Sequence, residues 1–324
     1  MSLARAVASR LIQGLALVLA VVVLNFVLVH AAPGDPVETI AGASGGMSEE
    51  MMTELRKQYG LDKPLYVQLG VYVGRVVTGD LGYSYFFNLP VTQMIGERVP
   101  ATLLLVLSAV LSAFIIGTGL GVLSARKPNG VLSQFITVLS MVGFAAPVFW
   151  MGIMLVILFA SVLPIMPVSG MRSLDSSGGG IGDIVDVAHH LVLPTLTLAL
   201  VYLAQYSRLA RSSMLDVLGS DFIRTARAKG LADRVVLYKH ALRNALLPVV
   251  TVLGLQFGNV MAGAILVETV FNWPGLGRLA FEAVLRRDYP TILGVLLFSS
   301  IVVIVMNLLT DVAYRLIDPR IKAS

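Results

Sequence analysis

The sequence predicts an all-α integral membrane protein with six transmembrane helices, on three observations. First, 56% of the 324 residues are hydrophobic and only 13% are charged, with a mean hydropathy of +0.84, whereas soluble chains carry about 25% charge. Too few charged groups remain to clothe a water-exposed surface, and helices satisfy their own backbone in hydrocarbon. Second, stretches free of Asp, Glu, Lys, Arg and His recur at 11–29, 99–125, 128–171, 191–207, 244–267 and 289–310, and a span needs roughly 20 residues. Third, with six spans and the N-terminus inside, 15 of the 24 Lys and Arg fall on the cytoplasmic side, as the positive-inside bias requires. The net charge of +5 follows from that bias and calls for no nucleic-acid partner. The absence of cysteine excludes disulfides, thiolate metal sites and a cysteine nucleophile.

Arg5 and Arg10 precede the first apolar run as in a signal peptide, but its 19 residues exceed the roughly 7–15 of a cleaved one. The run is expected to stay as the first helix. In the outer segment 32–98, Ser48 caps a helix running to Tyr59, Gly60 is its left-handed stop, and Pro64 starts the next helix. Leu65, Leu69, Tyr72, Val73 and Val76 share one face of that second helix, the pattern of an interfacial amphipathic helix. In span two, Gly117, Gly119 and Gly121 permit close helix packing. The long interval 128–171 has no polar turn near its middle, so we expect one helix kinked at Pro147 and ending before Pro164 and Pro167. The stretch Ser176-Ser177-Gly178-Gly179-Gly180 marks a flexible outside loop, and His189-His190 an interfacial pair ahead of span four.

Between spans four and five lies the most informative stretch, 208–243, with eight basic residues. A helix can begin at Asp221, whose carboxylate caps free amides, and stop at Gly230 with Arg227 and Lys229 in its last turn. So short a helix is marginal in water and needs support from its own bundle or a partner. Trp273, after span five, reads as an interfacial anchor. The expected organisation is an N-terminal transmembrane helix (1–31), a periplasmic segment with short amphipathic helices (32–98), and a five-helix core (99–324) with a cytoplasmic loop (208–243). Both termini are expected in the cytoplasm.

A P-loop needs Gly-Lys-Ser/Thr, and none of the six lysines follows a glycine. Proton-driven carriers keep an ionisable residue deep in the bilayer, whereas Glu268 and Asp311 stand at interval edges and the interiors hold amides and hydroxyls such as Asn25, Gln134, Gln256, Asn259 and Asn307; coupling to sodium through backbone carbonyls stays open. HExxH is absent.

The run Asp221-Phe222-Ile223-Arg224-Thr225-Ala226-Arg227-Ala228-Lys229-Gly230-Leu231, followed by His240-Ala241-Leu242-Arg243-Asn244-Ala245-Leu246-Leu247-Pro248, resembles the cytoplasmic loop of the dipeptide, oligopeptide and nickel permeases of ABC importers. Pro33-Gly34-Asp35-Pro36, Gly60-Leu61-Asp62, Gly79-Asp80-Leu81-Gly82, Val267-Glu268-Thr269-Val270-Phe271, Trp273-Pro274-Gly275-Leu276-Gly277 and Asp318-Pro319-Arg320 resemble the first of the two permease subunits of such systems. The general importer signature has Glu-Ala-Ala where Arg224-Thr225-Ala226 stands, a variation similar to the peptide branch that removes any glutamate-specific contact at position 224.

The resemblance implies the type I ABC importer permease fold in a bacterial cytoplasmic (inner) membrane and a non-catalytic subunit without cofactors, ATP and Mg being held by partner subunits. It implies three kinds of protein partner: a second homologous permease, two ATP-binding subunits and an extracytoplasmic substrate-binding protein, besides the lipid bilayer. It also implies a coupling helix for the ATPase, formed by Ser220, Asp221, Phe222, Arg224, Thr225, Ala226, Arg227, Lys229, Gly230 and Leu231, with Phe222 or Leu231 as apolar anchors. Residues 32–98 and 271–287 would receive the binding protein, with Phe271, Asn272, Trp273 and Pro274 on that face. Di- and oligopeptides are the implied cargo; nickel chelates, glutathione or other small conjugates are the alternatives. A self-sufficient channel or secondary carrier is the competing class, and an intramembrane enzyme would need a catalytic pair that the spans lack.

Overall fold

A computed structural model describes residues 3–31, 37, 41, 46, 48–59, 62–173 and 180–317. Helix α1 (Leu3–Ala31) is followed by α2 (Glu49–Tyr59), α3 (Leu65–Val77), the hairpin strands β1 (Tyr83–Ser84) and β2 (Leu89–Pro90), and α4 (Val91–Arg126). Then come α5 (Val131–Ala145), α6 (Val148–Val156) with a π-turn over Ile157–Val162, α7 (Ile181–Leu218), and α8 (Asp221–Ala228). The single turn α9 (Asp233–Val235) leads through a π-segment, Val236–Ala241, into α10 (Leu242–Val270), and α11 (Leu276–Arg286) and α12 (Tyr289–Ile317) follow.

Helix occupies each of the six apolar intervals. Among the described residues, α4, α7 and the Tyr289–Leu309 part of α12 are each long and apolar enough to cross a membrane. The 36 residues of α4 reach about 54 Å, beyond a hydrocarbon core of roughly 30 Å, and the helix begins at Val91 rather than near 99. The third interval departs from expectation: the chain is interrupted, not merely kinked, at Ala146-Pro147. Pro147 has φ −60° and ψ 136° and serves as the N-cap of α6. Proline disfavours helical backbone at the residue before it, and here the helix restarts after the break. Pro100, Pro194 and Pro248 lie inside continuous helices.

The chain divides into two compact units, 1–101 with 275–324, and 102–274. In the first, α3 packs on α1. The rings of Phe26 and Tyr72 stand 6.2 Å apart, and His30 Nε2 lies 2.8 Å from Gln68 Oε1. Leu69, Tyr72, Val73 and Val76 are half-buried, as their shared face requires, while Leu65 at the helix end is exposed. Burial raises the Tyr72 phenol above its ordinary value, outweighing the hydrogen bond from Asn25.

The β1–β2 hairpin pairs Tyr83 with Pro90 and Ser84 with Leu89, a pairing that carries no strand signal in the sequence. Gly82 takes φ +94° after an Asx turn in which its N–H donates to Asp80 Oδ1 at 2.9 Å. The hairpin is tied to the start of α12 by one carboxylate: Ser84 Oγ donates to Asp288 Oδ2 at 2.5 Å and Thr291 Oγ1 donates to the same oxygen at 2.6 Å. Beside it the Arg286 guanidinium lies 3.8 Å above the Phe86 ring. All three polar residues are buried, and a buried hydroxyl without an acceptor costs ~1–3 kcal/mol. Asp288→Ala is therefore expected to release the hairpin, measured as faster amide exchange over 83–90, while Asp288→Asn, keeping one acceptor, has a smaller effect. Equal exchange in wild type and both variants would contradict the tether.

In the second unit α4 approaches α7 closely. A Cβ at Gly117 would stand 2.8 Å from the Leu203 carbonyl oxygen and 2.9 Å from Tyr206 Cβ. One at Gly121 would stand 2.5 Å from the Ser207 carbonyl oxygen and 2.7 Å from Ala210 Cβ. Gly119, exposed, has nothing within 4 Å of such an atom. Residues four apart share a helix face, so the packing device is the Gly117/Gly121 pair without Gly119.

Candidate functional site

Helix α8 forms as predicted, though its start is built differently. Ser220, not Asp221, takes the N-cap position, and its side chain makes no capping bond. Ser220 Oγ instead donates to the Val217 carbonyl at 2.5 Å, and Asp221, in the first helical turn, lies 3.3 Å from Arg224 on the exposed surface. The stop matches expectation. Gly230 has φ +74°, its N–H donates to the Arg227 carbonyl at 2.9 Å, and the Leu231 N–H reaches the Ala226 carbonyl at 3.4 Å. These two bonds are the Schellman pattern, which needs a left-handed residue at position 230.

Support for so short a helix comes from its own bundle. Ile223, with no exposed surface, and buried Ala226 enter a cluster with Val122, Ala125, Met214, Val236 and Ala241. The cluster joins the end of α4, the end of α7 and the π-segment, so α8 is part of the apolar core. Ile223→Ala removes buried volume worth ~2–5 kcal/mol; amide exchange of 221–230 is expected to rise, and unchanged protection would show that the cluster does not hold the helix.

With that face turned inward, Asp221, Arg224, Thr225, Arg227, Lys229 and Gly230 are exposed, as are Phe222 at 46% and Leu231 at 38%. Ser220 is half-buried. Ala226 is the one predicted residue of this set that faces the core. The inward residue absent from the expected set, Ile223, is signalled by its i, i+3 spacing with Ala226.

The second expected face is arranged otherwise. Phe271 and Trp273 are 1% and 0% exposed, so neither aromatic ring presents itself at the surface, and Trp273 is no interfacial anchor. Asn272 at φ 52° ends α10, with the Trp273 N–H donating to the Glu268 carbonyl at 2.8 Å. This left-handed turn directs the chain back inward and leaves Asn272 exposed and Pro274 half-buried. A Cβ on Gly152 would lie 3.2 Å from the Phe271 ring, and the Phe271 carbonyl accepts from the Gly170 N–H at 2.8 Å.

Glu268 has no exposed surface, and Thr102 Oγ1 donates to its Oε1 at 2.7 Å. Sequence position placed Glu268 at an interval edge; its burial beside Thr102, 166 residues away, carries no sequence signal. Deeper in the bundle, Gln256 Nε2 donates to Gln205 Oε1 at 2.6 Å. The His189 ring lies 3.0 Å from the Ile165 carbonyl and the His190 ring 2.9 Å from that of Asp186, so the two imidazoles face separate partners. Pro33-Gly34-Asp35-Pro36, Gly60-Leu61, residues 174–179 of the outer loop and Asp318-Pro319-Arg320 lie outside the described residues.

A helical membrane component that displays a short basic helix braced by its own core is the class of protein this geometry defines. Residues 117–323 match the family described as "Binding-protein-dependent transport system inner membrane component", and residues 3–106 match its N-terminal counterpart. The chain belongs to this family of inner-membrane transport components. It is 43% identical over 319 residues to the dipeptide transport system permease protein DppB of Escherichia coli K12, covering 93% of this chain and 94% of that one. It is 40% identical over 314 residues to the oligopeptide transport system permease protein AppB of Bacillus subtilis 168, covering 97% and 98%. Among solved structures, the MetNI methionine ABC transporter in an inward-facing form matches with a TM-score of 0.55 at 16% identity, over 70% of this chain and 97% of that chain. The fold is that of a type I ABC importer permease.

Proposed function

We propose that this chain is the first of two permease subunits of an ABC importer for di- and oligopeptides. The observation that supports it most is the near full-length similarity to permeases named for dipeptide and oligopeptide transport, joined to an α8 whose basic residues Arg224, Arg227 and Lys229 are exposed. In this reading both termini and the loop 208–243 lie in the cytoplasm, and the exposed side of α8 docks into a cleft on one of two ATP-binding subunits. Arg224, Arg227 and Lys229 supply polar contacts, and Phe222 and Leu231 supply apolar ones. ATP and Mg are held by those partners, so this chain performs no hydrolysis. Closure of the ATPases moves the permease pair from inward-open to outward-open. Peptide is received from an external binding protein, with Asn272 and Pro274 as surface contacts and Phe271 and Trp273 as internal supports.

Proteoliposomes holding both permeases, both ATPases and the binding protein are expected to accumulate labelled dipeptide only with ATP. Uptake by this chain alone would overturn the reading in favour of a channel or carrier, and a sugar as the stabilising ligand of the cognate binding protein would overturn the peptide assignment.

A further inference from the structure

A cavity of about 840 Å³ opens in the second unit where the ends of α4 and α7, the start of α5 and the α9 turn come together. Its volume lies within the roughly 300–1,000 Å³ of small-molecule sites. Arg126, Lys127, Arg227 and Arg234 line it, against the single carboxylate of Asp233. Among the described residues, none of these four cations has an ion-pair or hydrogen-bond partner on its side chain. Ser133 also lines the cavity; it is 1% exposed and its Oγ has no hydrogen-bond partner among the described residues. A positive-inside loop explains bases near the membrane, but not their convergence on one concavity with a buried, unused hydroxyl.

The walls are apolar. Leu123, Val131, Leu218 and Leu237 contribute, and Leu123 and Val131 are exposed on their helices. Cations around a hydroxyl fit a phosphate group, and apolar walls reaching the exposed Leu123 and Val131 fit the chains attached to it. We propose that this cavity binds the phosphate headgroup of an anionic phospholipid of the inner leaflet, in the manner of basic pockets on the cytoplasmic side of helical bundles. The proposal rests on the orientation given under Proposed function. Because Arg227 both lines the cavity and stands on the outer side of α8, bound lipid would set the charge that the docking surface presents.

The test uses the full chain purified in non-ionic detergent without ATPases, titrated with phosphatidylglycerol or phosphatidylcholine, with bound lipid counted by native mass spectrometry and stability read as the thermal midpoint. Phosphatidylglycerol is expected to bind and stabilise where phosphatidylcholine does not. Arg126→Gln, Lys127→Gln and Arg234→Gln are each expected to weaken it about fivefold. Arg126→Lys, which keeps the charge, should retain binding, as should Lys239→Gln, an exposed base outside the cavity. Ser133→Ala should weaken binding by a smaller factor. Equal losses in Lys239→Gln and the cavity variants would reduce the effect to a diffuse surface field and overturn the site. Inorganic phosphate giving the full stabilisation, with phosphatidylglycerol adding nothing, would assign it to a soluble anion. Complete expulsion of lipid on adding the ATPases would assign it to a protein segment. Failed lipid binding leaves the permease reading standing, whereas failed ATP-driven uptake by a lipid-binding chain counts against the permease reading alone.

Discussion

Gly121→Val is expected to abolish transport by preventing α4 from seating on α7, while Gly119→Val, two residues away, leaves transport intact. At position 121 even the first side-chain atom would stand 2.5 Å from the Ser207 carbonyl oxygen and 3.0 Å from the Arg211 nitrogen. Those neighbours are backbone, so no rotamer change relieves the overlap and one helix must move. Overpacking costs ~1–3 kcal/mol where side chains can adjust, and it exceeds that range where a helix axis has to shift. At Gly119 the same atom meets nothing within 4 Å, and a surface change of this kind stays within about 0.5 kcal/mol. Thermal midpoint in detergent and ATP-driven uptake in proteoliposomes read the two variants side by side. A Gly121→Val chain as stable and active as wild type would remove close α4–α7 packing from the account.

Gly230→Val and Arg227→Glu are expected to separate ATP hydrolysis from uptake. Valine at φ +74° pays about 1–2 kcal/mol for the left-handed backbone and unseats the two terminal hydrogen bonds of α8. Arg227→Glu leaves the helix geometry alone and reverses one exposed charge on the proposed docking side. Both variants should insert into the membrane and associate with the second permease. Peptide delivered per ATP consumed is expected to fall about tenfold or more, equivalent to ~1.4 kcal/mol of coupling. Wild-type stoichiometry in both would sink the docking role. Gly230→Asn, an amino acid that tolerates the left-handed region, should recover much of the loss, which a purely steric defect at the interface would not allow.

The parts of the molecule visible in the sequence were those specified within a few residues. The extent of α8 follows from a glycine stop and neighbouring charges, and the start of α2 from Ser48, whose Oγ accepts from the Met51 N–H at 3.3 Å. The six helical stretches follow from charge-free length. What escaped depends on pairings over long separation. Ser84 and Asp288 are 204 residues apart, and nothing near either predicts the other. Trp273 carries the composition of an interfacial anchor, but the left-handed Asn272 before it sends the indole inward. Glycine spacing in α4 showed that a close contact exists, while choosing Gly117 and Gly121 over Gly119 required knowing which side α7 occupies. Proline was ambiguous for a related reason: Pro147 interrupts its helix and Pro100, Pro194 and Pro248 do not, a difference decided by neighbours rather than by the residue.

Ile223 has a mechanical consequence. A loop helix hung on slack chain would swing when pushed, and the stroke would be absorbed before reaching the bilayer. Here one isoleucine is wedged among side chains belonging to the ends of two long helices and the root of a third. Displacing the outer side of that short rod by an ångström must therefore either drag those three ends along or tear the wedge out. In the docking role proposed for α8, stiffness at this joint is what would carry displacement to the three helix ends.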